Sequence, residues 1–147
     1  MTSSAELQEQ FAALYSASRQ ELSVPWSTRK RRLQQLQALL KEQQKPLLDA
    51  IAADFGQRSH TESTILELIP SHNGIKHALK HGEKWMKRRK AATSWLFKPA
   101  TCYVQPQPKG VIGIVSPWNY PLFLIIGPLV DAFVAGKIGR ASCRERV

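Results

Sequence analysis

The segment Pro108-Lys109-Gly110-Val111-Ile112-Gly113-Ile114-Val115-Ser116-Pro117-Trp118-Asn119-Tyr120-Pro121 contains one side chain whose placement suggests chemistry, the amide of Asn119. An asparagine NH₂ donates hydrogen bonds without titrating, so from a stiff loop it could hold a developing negative charge in a fixed direction. Pro117 and Pro121 bracket that loop. Neither can donate to a sheet, and each biases the residue before it away from helix. A packing or turn-capping asparagine is the alternative, and the bare motif does not separate the two.

The elements around this loop read as strand, loop and helix. Val111, Ile112, Ile114 and Val115 form a β-branched run too continuous for a half-exposed strand, which predicts a sheet covered on both faces. Asn119 then falls at the carboxyl end of a strand, where open α/β sheets place their ligands. An apolar helix is predicted over Leu122–Val134. Gly110-Val111-Ile112-Gly113 opens a strand rather than a helix, so no dinucleotide fingerprint is read there.

Upstream the chain is helical over about 3–90. Leu7, Phe11, Leu14 and Tyr15 share one face of a first helix, with Ser3 or Ser4 as its cap. Pro25 separates it from a second, capped by Ser27 or Thr28, with a stripe of Leu33, Leu36, Leu39 and Leu40. Pro46 suits the first turn of a third helix and Gly56 its stop. From Thr61 a fourth carries Ile65, Leu66 and Ile69, meets Pro70 where it must kink or restart, and resumes with Ile75, Ala78, Leu79, Trp85 and Met86. These stripes, with Phe11, Tyr15 and Trp85, are read as core packing. Between Ala91 and Pro108 the mix of Trp95, Phe97, Tyr103 and Val104 with Pro99, Pro106 and Pro108 predicts an extended, edge-type segment.

Pro-x-Gly-Val-x-x-x-x-x-Pro-Trp-Asn-Tyr-Pro, followed by Gly127-Pro128-Leu129-Val130-Asp131-Ala132 and Ala135-Gly136, resembles the aldehyde dehydrogenase superfamily. Ala53-Asp54-Phe55-Gly56-x-Arg58-Ser59 and Trp85-Met86 are similar to its bacterial coniferyl aldehyde dehydrogenase branch. The resemblance runs from about Phe11 to Gly136. It implies an α/β fold, with a helical N-terminal region leading into the first strand-loop-helix (109–136) of a Rossmann-like cofactor domain. It also implies that 91–108 is an arm pairing with a partner subunit in a homo-oligomer.

In that family a cysteine thiolate attacks the aldehyde, an asparagine matching Asn119 helps hold the oxyanion, hydride leaves to NAD or NADP, and a glutamate activates the hydrolytic water. Val115, Ser116, Pro117 and Trp118 match the strand end that lines the nicotinamide side of the cofactor pocket. The nucleophile, the base and the phosphate-binding turn lie beyond the matching region. The 147 residues alone are therefore expected to be inactive.

Beyond Gly136 the family pattern would continue with an asparagine, a second strand and a Lys-Pro-Ser-Glu-like turn. The sequence instead reads Lys137-Ile138-Gly139-Arg140-Ala141-Ser142-Cys143-Arg144-Glu145-Arg146-Val147. Residues 138–147 resemble one reading frame of a common sequencing adapter, with Lys137 as the junction codon. The expectation is a non-native tail making few contacts with the body. Without the neighbouring strands of the family's parallel sheet, the 111–115 strand and the Leu122–Val134 helix are expected to be exposed.

The length suits one domain at most. The formal charge is +10, and +7 without 137–147, with clusters at Arg29–Arg32 and Lys76–Lys90. Neither cluster is expected to be interleaved with exposed aromatic residues, and neither carries a nucleic-acid motif, so both are read as solvated helix faces. A helical interaction module and a basic nucleic-acid-binding fragment remain the alternatives; neither accounts for the proline-bracketed loop.

Cys102 and Cys143 offer neither metal-ligand spacing nor a disulfide framework. Residues 1–6 lack the features of a secretory signal. Gly110–Val130 is apolar, but its prolines would leave backbone groups unsatisfied in lipid. These features lead to expectations of no membrane partner, no nucleic acid and a cytoplasmic location, while the family resemblance implies a small-molecule aldehyde substrate.

Overall fold

The computed structural model describes residues 4–20 and 23–143, with the backbone only for 138–143. Helix α1 (Ser4–Gln20) forms where the apolar period places it, yet none of its residues is buried. Leu7, Phe11 and Tyr15 are exposed, which corrects their reading as core. Their apolar period still has local partners: Phe11 and Tyr15 stack at 5.9 Å, and Arg19 lies 4.8 Å over the Tyr15 ring.

Helix α2 (Trp26–Glu42) starts two to three residues earlier than expected, so Ser27 and Thr28 lie inside it and Pro25 holds the cap position without a side-chain bond. The Pro25 carbonyl accepts from the Arg29 amide at 3.2 Å. Helix α3 (Gln44–Asp54) carries Pro46 in its first turn, and the chain turns at Gly56 with φ of +85°. Helix α4 (His60–Ser63) is capped by Ser59, whose Oγ accepts from the Thr61 amide at 3.2 Å.

A π-helical turn over Thr64–Leu68 joins α4 to α5 (Ile69–Trp85). Pro70 sits in the first turn of α5, directly after the π turn. The Ile69 amide reaches back five residues to Thr64, so the wide turn makes the predicted restart without breaking the helical path.

Strands β1 (Arg89–Ala91) and β2 (Cys102–Val104) pair antiparallel, with Arg89 opposite Val104, and a 3₁₀ turn at Trp95–Phe97 lies between them. The segment is extended and exposed, as the prolines suggested, with Trp95 at 77% exposure. Strand β3 (Val111–Ser116) leads into helix α6 (Pro121–Val134), and strand β4 (Ile138–Cys143) returns parallel to β3, Val111 opposite Ile138 and Ser116 opposite Cys143. The expectation of few contacts from the tail is thus corrected for 138–143. A parallel ladder is made by backbone groups, which an open strand edge can engage without an apolar side-chain pattern. Residues 144–147 lie outside the described residues, as does Ser3.

The core lies where α2, α5 and α6 meet. Leu33 and Leu40 come from α2, Ile75 and Ala78 from α5, and Ile126, Val130 and Val134 from α6. Each of these Leu, Ile and Val side chains contributes roughly 1.5–3 kcal/mol by leaving water. Gly82 lets α5 approach closely, since a Cβ there would stand 2.6 Å from the Trp26 ring.

Helix α6 is therefore packed, not exposed as the missing-neighbour argument predicted. Strand β3 is covered on one face only: Ile114 and Ser116 are buried, while Val115 is 71% exposed. The continuous β-branched run overstates its burial within these residues. Among the described residues no helix is long and apolar enough to cross a membrane.

Candidate active-site loop at the start of helix α6

Both ends of α6 are closed by charged side chains from distant helices. At its start, Pro121 has no N–H to satisfy. The Leu122 and Phe123 amides donate to Glu67 Oε2 at 2.7 and 3.3 Å, and the Leu124 amide donates to the Tyr120 carbonyl at 3.1 Å. The orphan donors of the first turn are all placed. The carboxylate also meets the positive end of the helix dipole. Glu67 reaches this point from the π turn, and its side chain has 0% exposure.

The far end is closed as completely. The Lys137 and Gly136 amides donate to the Ala132 and Phe133 carbonyls, and Ala135 donates to Asp131, a Schellman-type ending with Gly136 at φ of +74°. The remaining carbonyl, Val134, accepts from Arg29 Nη1 at 2.6 Å, while Arg29 Nε donates to the Val24 carbonyl at 2.8 Å. Arg29 is buried. Its reading as part of a solvated basic face is corrected, whereas Lys76, Lys80 and Lys84 of the second basic cluster are exposed as read.

Asn119 lies in the loop between β3 and α6 and is exposed. Among the described residues its side-chain amide makes no hydrogen bond. Its main chain is tethered: Arg58 Nη1 donates to the Asn119 carbonyl at 2.7 Å. The Arg58 guanidinium lies 4.9 Å over the Phe55 ring and 4.6 Å over the Tyr120 ring, so it is clamped between α3's end and the loop. Its Nη1 is also 3.5 Å from Glu67 Oε1, and its Nε is 3.4 Å from Glu62 Oε1. An open cleft of about 560 Å³ adjoins the loop, lined by Phe55, Gln57, Arg58, Glu62, Asn119 and Tyr120.

Of the four residues predicted to line a cofactor, Val115, Pro117 and Trp118 are exposed beside Asn119 at the carboxyl end of β3. Ser116 is buried, with its Oγ donating to the Pro121 carbonyl at 3.5 Å, so its side chain is turned toward α6. Trp118 stands 6.1 Å from the Phe55 ring. The structure thus brings all five predicted residues to one strand end.

Sequence reasoning missed Glu67 and gave Arg58 no role. A signal existed for the first: Ser63, Glu67 and Ser71, four residues apart, form a polar row that is buried along with the apolar one.

A strand end, a proline-bracketed asparagine loop and a helix with both ends closed define an α/β segment. The aldehyde dehydrogenase family profile matches residues 1–138, and the chain belongs to that family. It is 44% identical over 132 residues to the "Probable coniferyl aldehyde dehydrogenase" of Pseudomonas aeruginosa, covering 87% of this chain and 28% of that protein. It is 37% identical over 106 residues to the coniferyl aldehyde dehydrogenase of a Pseudomonas species, covering 72% of this chain and 22% of that one. The chain therefore spans about a quarter of the length of these relatives.

Among solved structures, a substrate-bound state of Staphylococcus aureus AldH superposes with a TM-score of 0.87 at 25% identity, over 96% of this chain and 30% of that one. A Mycobacterium tuberculosis aldehyde dehydrogenase complexed with NAD⁺ gives 0.82 at 22% identity, over 96% and 29%. A Streptococcus pyogenes succinic semialdehyde dehydrogenase with NADP⁺ gives 0.80 at 17%, over 97% and 30%.

Proposed function

We propose that this chain is part of an enzyme that oxidises an aldehyde to the carboxylic acid with NAD or NADP, and that Asn119 is its oxyanion-holding amide. An aromatic aldehyde such as coniferyl aldehyde is the substrate class that the two Pseudomonas relatives favour. The observation that carries the catalytic assignment is the division of labour within Asn119. Its carbonyl is fixed by Arg58, while its side-chain amide is exposed and makes no hydrogen bond among the described residues. A turn-capping asparagine would have its side chain engaged by the loop's own backbone.

Within this reading Asn119 Nδ2 donates to the oxygen of the aldehyde as negative charge develops on it during nucleophilic attack. The amide neither gains nor loses a proton, and the loop fixes its direction in advance. Val115, Pro117 and Trp118 form one wall for the nicotinamide ring, within a Rossmann-like cofactor domain that begins at β3. The cofactor supplies the hydride acceptor.

The test uses the full-length enzyme. Asn119→Ala is expected to lower kcat by on the order of 10²–10³ with little change in cofactor affinity. Asn119→Asp is expected to be at least as harmful, because a carboxylate would face like charge. The 147-residue chain, as a control, should reduce no cofactor. An Asn119→Ala enzyme that kept its kcat and lost only stability would refute the assignment.

A further inference from the structure

We infer that Glu67 and Arg58 are positioning residues for Asn119, linked as one buried relay that sets the loop against the start of α6. The inference rests on the catalytic reading of Asn119 and goes beyond it to what holds the loop in place.

Asn119 sits only two residues before the helix, so its direction depends on where the first turn of α6 begins. Glu67 sets that point, because one carboxylate oxygen takes two consecutive amides, Leu122 and Phe123. Its other oxygen faces the Arg58 guanidinium, which in turn donates to the Asn119 carbonyl. The relay therefore grips the loop on both sides of Tyr120. Phe55 and Tyr120 sandwich the guanidinium, which limits its movement to a few orientations.

Burial makes the two side chains interdependent. Glu67 has 0% and Arg58 6% of its side chain exposed. Without Arg58, Glu67 would keep only the two helix amides, and without Glu67, Arg58 would keep only the Asn119 carbonyl and the half-exposed Glu62. Glu67 Oε1 and Arg58 Nε and Nη2 make no hydrogen bond among the described residues, and the pair is held at ion-pair distance instead. Glu62 Oε1 also stands 3.4 Å from Arg58 Nε, but its carboxylate is 49% exposed and so a more solvent-screened partner than Glu67.

The chemistry of the partners decides the variants. Lysine cannot reproduce a planar guanidinium that stacks on two rings while donating sideways to a carbonyl. Glutamine can keep one oxygen on the helix amides but presents an NH₂ to Arg58 where a carboxylate oxygen was. Arg58→Lys should therefore loosen the loop with the helix start intact. Glu67→Gln should release Arg58 as well.

The experiment compares Arg58→Lys and Glu67→Gln in the full-length enzyme, each alone and combined with Asn119→Ala. A loop displaced by about an ångström is expected to lower kcat roughly 10- to 100-fold. The KM for NAD(P)⁺ should change less than about threefold, because Val115–Trp118 precede the tethered carbonyl. On the Asn119→Ala background neither substitution should lower kcat by more than about twofold further, since the amide they position is gone. A general structural lesion would instead multiply the losses.

Full activity in a folded Arg58→Lys enzyme, or losses that multiply with Asn119→Ala, would overturn the inference. If Glu67→Gln fails to fold, the Arg58→Lys pair of measurements decides alone. If Asn119→Ala itself retains kcat, the catalytic reading fails and the relay is a structural device only. The two failures are thereby distinguishable.

Discussion

Gly136 is the position at which the packing makes its sharpest demand on a single atom. A Cβ there would stand 2.6 Å from Arg29 Cζ, 2.7 Å from Nη2 and 2.9 Å from Nε. These are atoms of a buried guanidinium held at both ends, by the Val24 and the Val134 carbonyls. It cannot swing aside without releasing the end of α6. The backbone adds an independent cost, because φ of +74° is a left-handed value. For alanine that conformation costs about 1–2 kcal/mol. Loss of a charge-assisted hydrogen bond from Arg29 costs about 1.5–3 kcal/mol. Gly136→Ala is therefore expected to destabilise the chain by between about 2.5 and 5 kcal/mol.

The assay is urea unfolding followed by tryptophan fluorescence, with Trp26 and Trp85 as reporters on the two helices near this junction. A double-mutant cycle with Arg29→Met separates the two causes. Methionine removes the rigid fork, so on that background Gly136→Ala should retain only the backbone cost, about 1–2 kcal/mol. A cost of less than about 0.5 kcal/mol on the original background would refute the reasoning. Equal costs on both backgrounds would show that the overlap with Arg29 plays no part.

Two further outcomes follow from burial and charge. Ile114→Ala should cost about 2–4 kcal/mol in this chain, whereas Val115→Thr should stay within about 0.5 kcal/mol, since only Ile114 faces packed side chains; the same urea titrations check both, and equal losses would show β3 covered on both faces. His81 is held below the ordinary histidine range by desolvation first, then by His77, Lys80 and Lys84. The unfolded chain then binds the proton more readily than the folded one, so the contribution of His81 is present above the unfolded value and lost as pH falls through the lowered one. An NMR titration in which His81 protonates at or above a free histidine would contradict this.

The strand-loop-helix around Asn119 was legible because its signals are local. Prolines at 117 and 121 fix their own backbone and restrict their neighbours, and a β-branched run needs no distant residue to declare itself. Gly56 at the end of α3 and the break at Pro70 were legible for the same reason. The stripe of α1 was not. Apolar periodicity in Leu7, Phe11 and Tyr15 says that a face is fit to be covered, but it does not say by which element, and nothing within the described residues buries it. The same limit explains Val115, whose strand was read from composition while its second face finds no cover here.

The larger omission concerns charge. Periodicity ranks a residue by polarity, so it groups Arg29 with its neighbours Lys30, Arg31 and Arg32 as a solvated run and gives Glu67 no role within an apolar helix. Both are buried because α6 has two ends that must be closed, and helix ends placed inside a protein need donors and acceptors from somewhere. The negative side chain closes the amino end and the positive one the carboxyl end, the arrangement the helix dipole favours. That demand becomes visible once α6 is known to lie in the core. A short helix starting at Pro121 and stopping at Gly136 leaves carbonyls and amides that its own sequence, lacking a capping Ser, Thr, Asp or Asn at Tyr120, cannot fully satisfy. Those unmet groups draw Glu67 from 55 residues away and Arg29 from 105. By doing so they fix the loop that carries Asn119 to the helix bundle rather than to the strand alone.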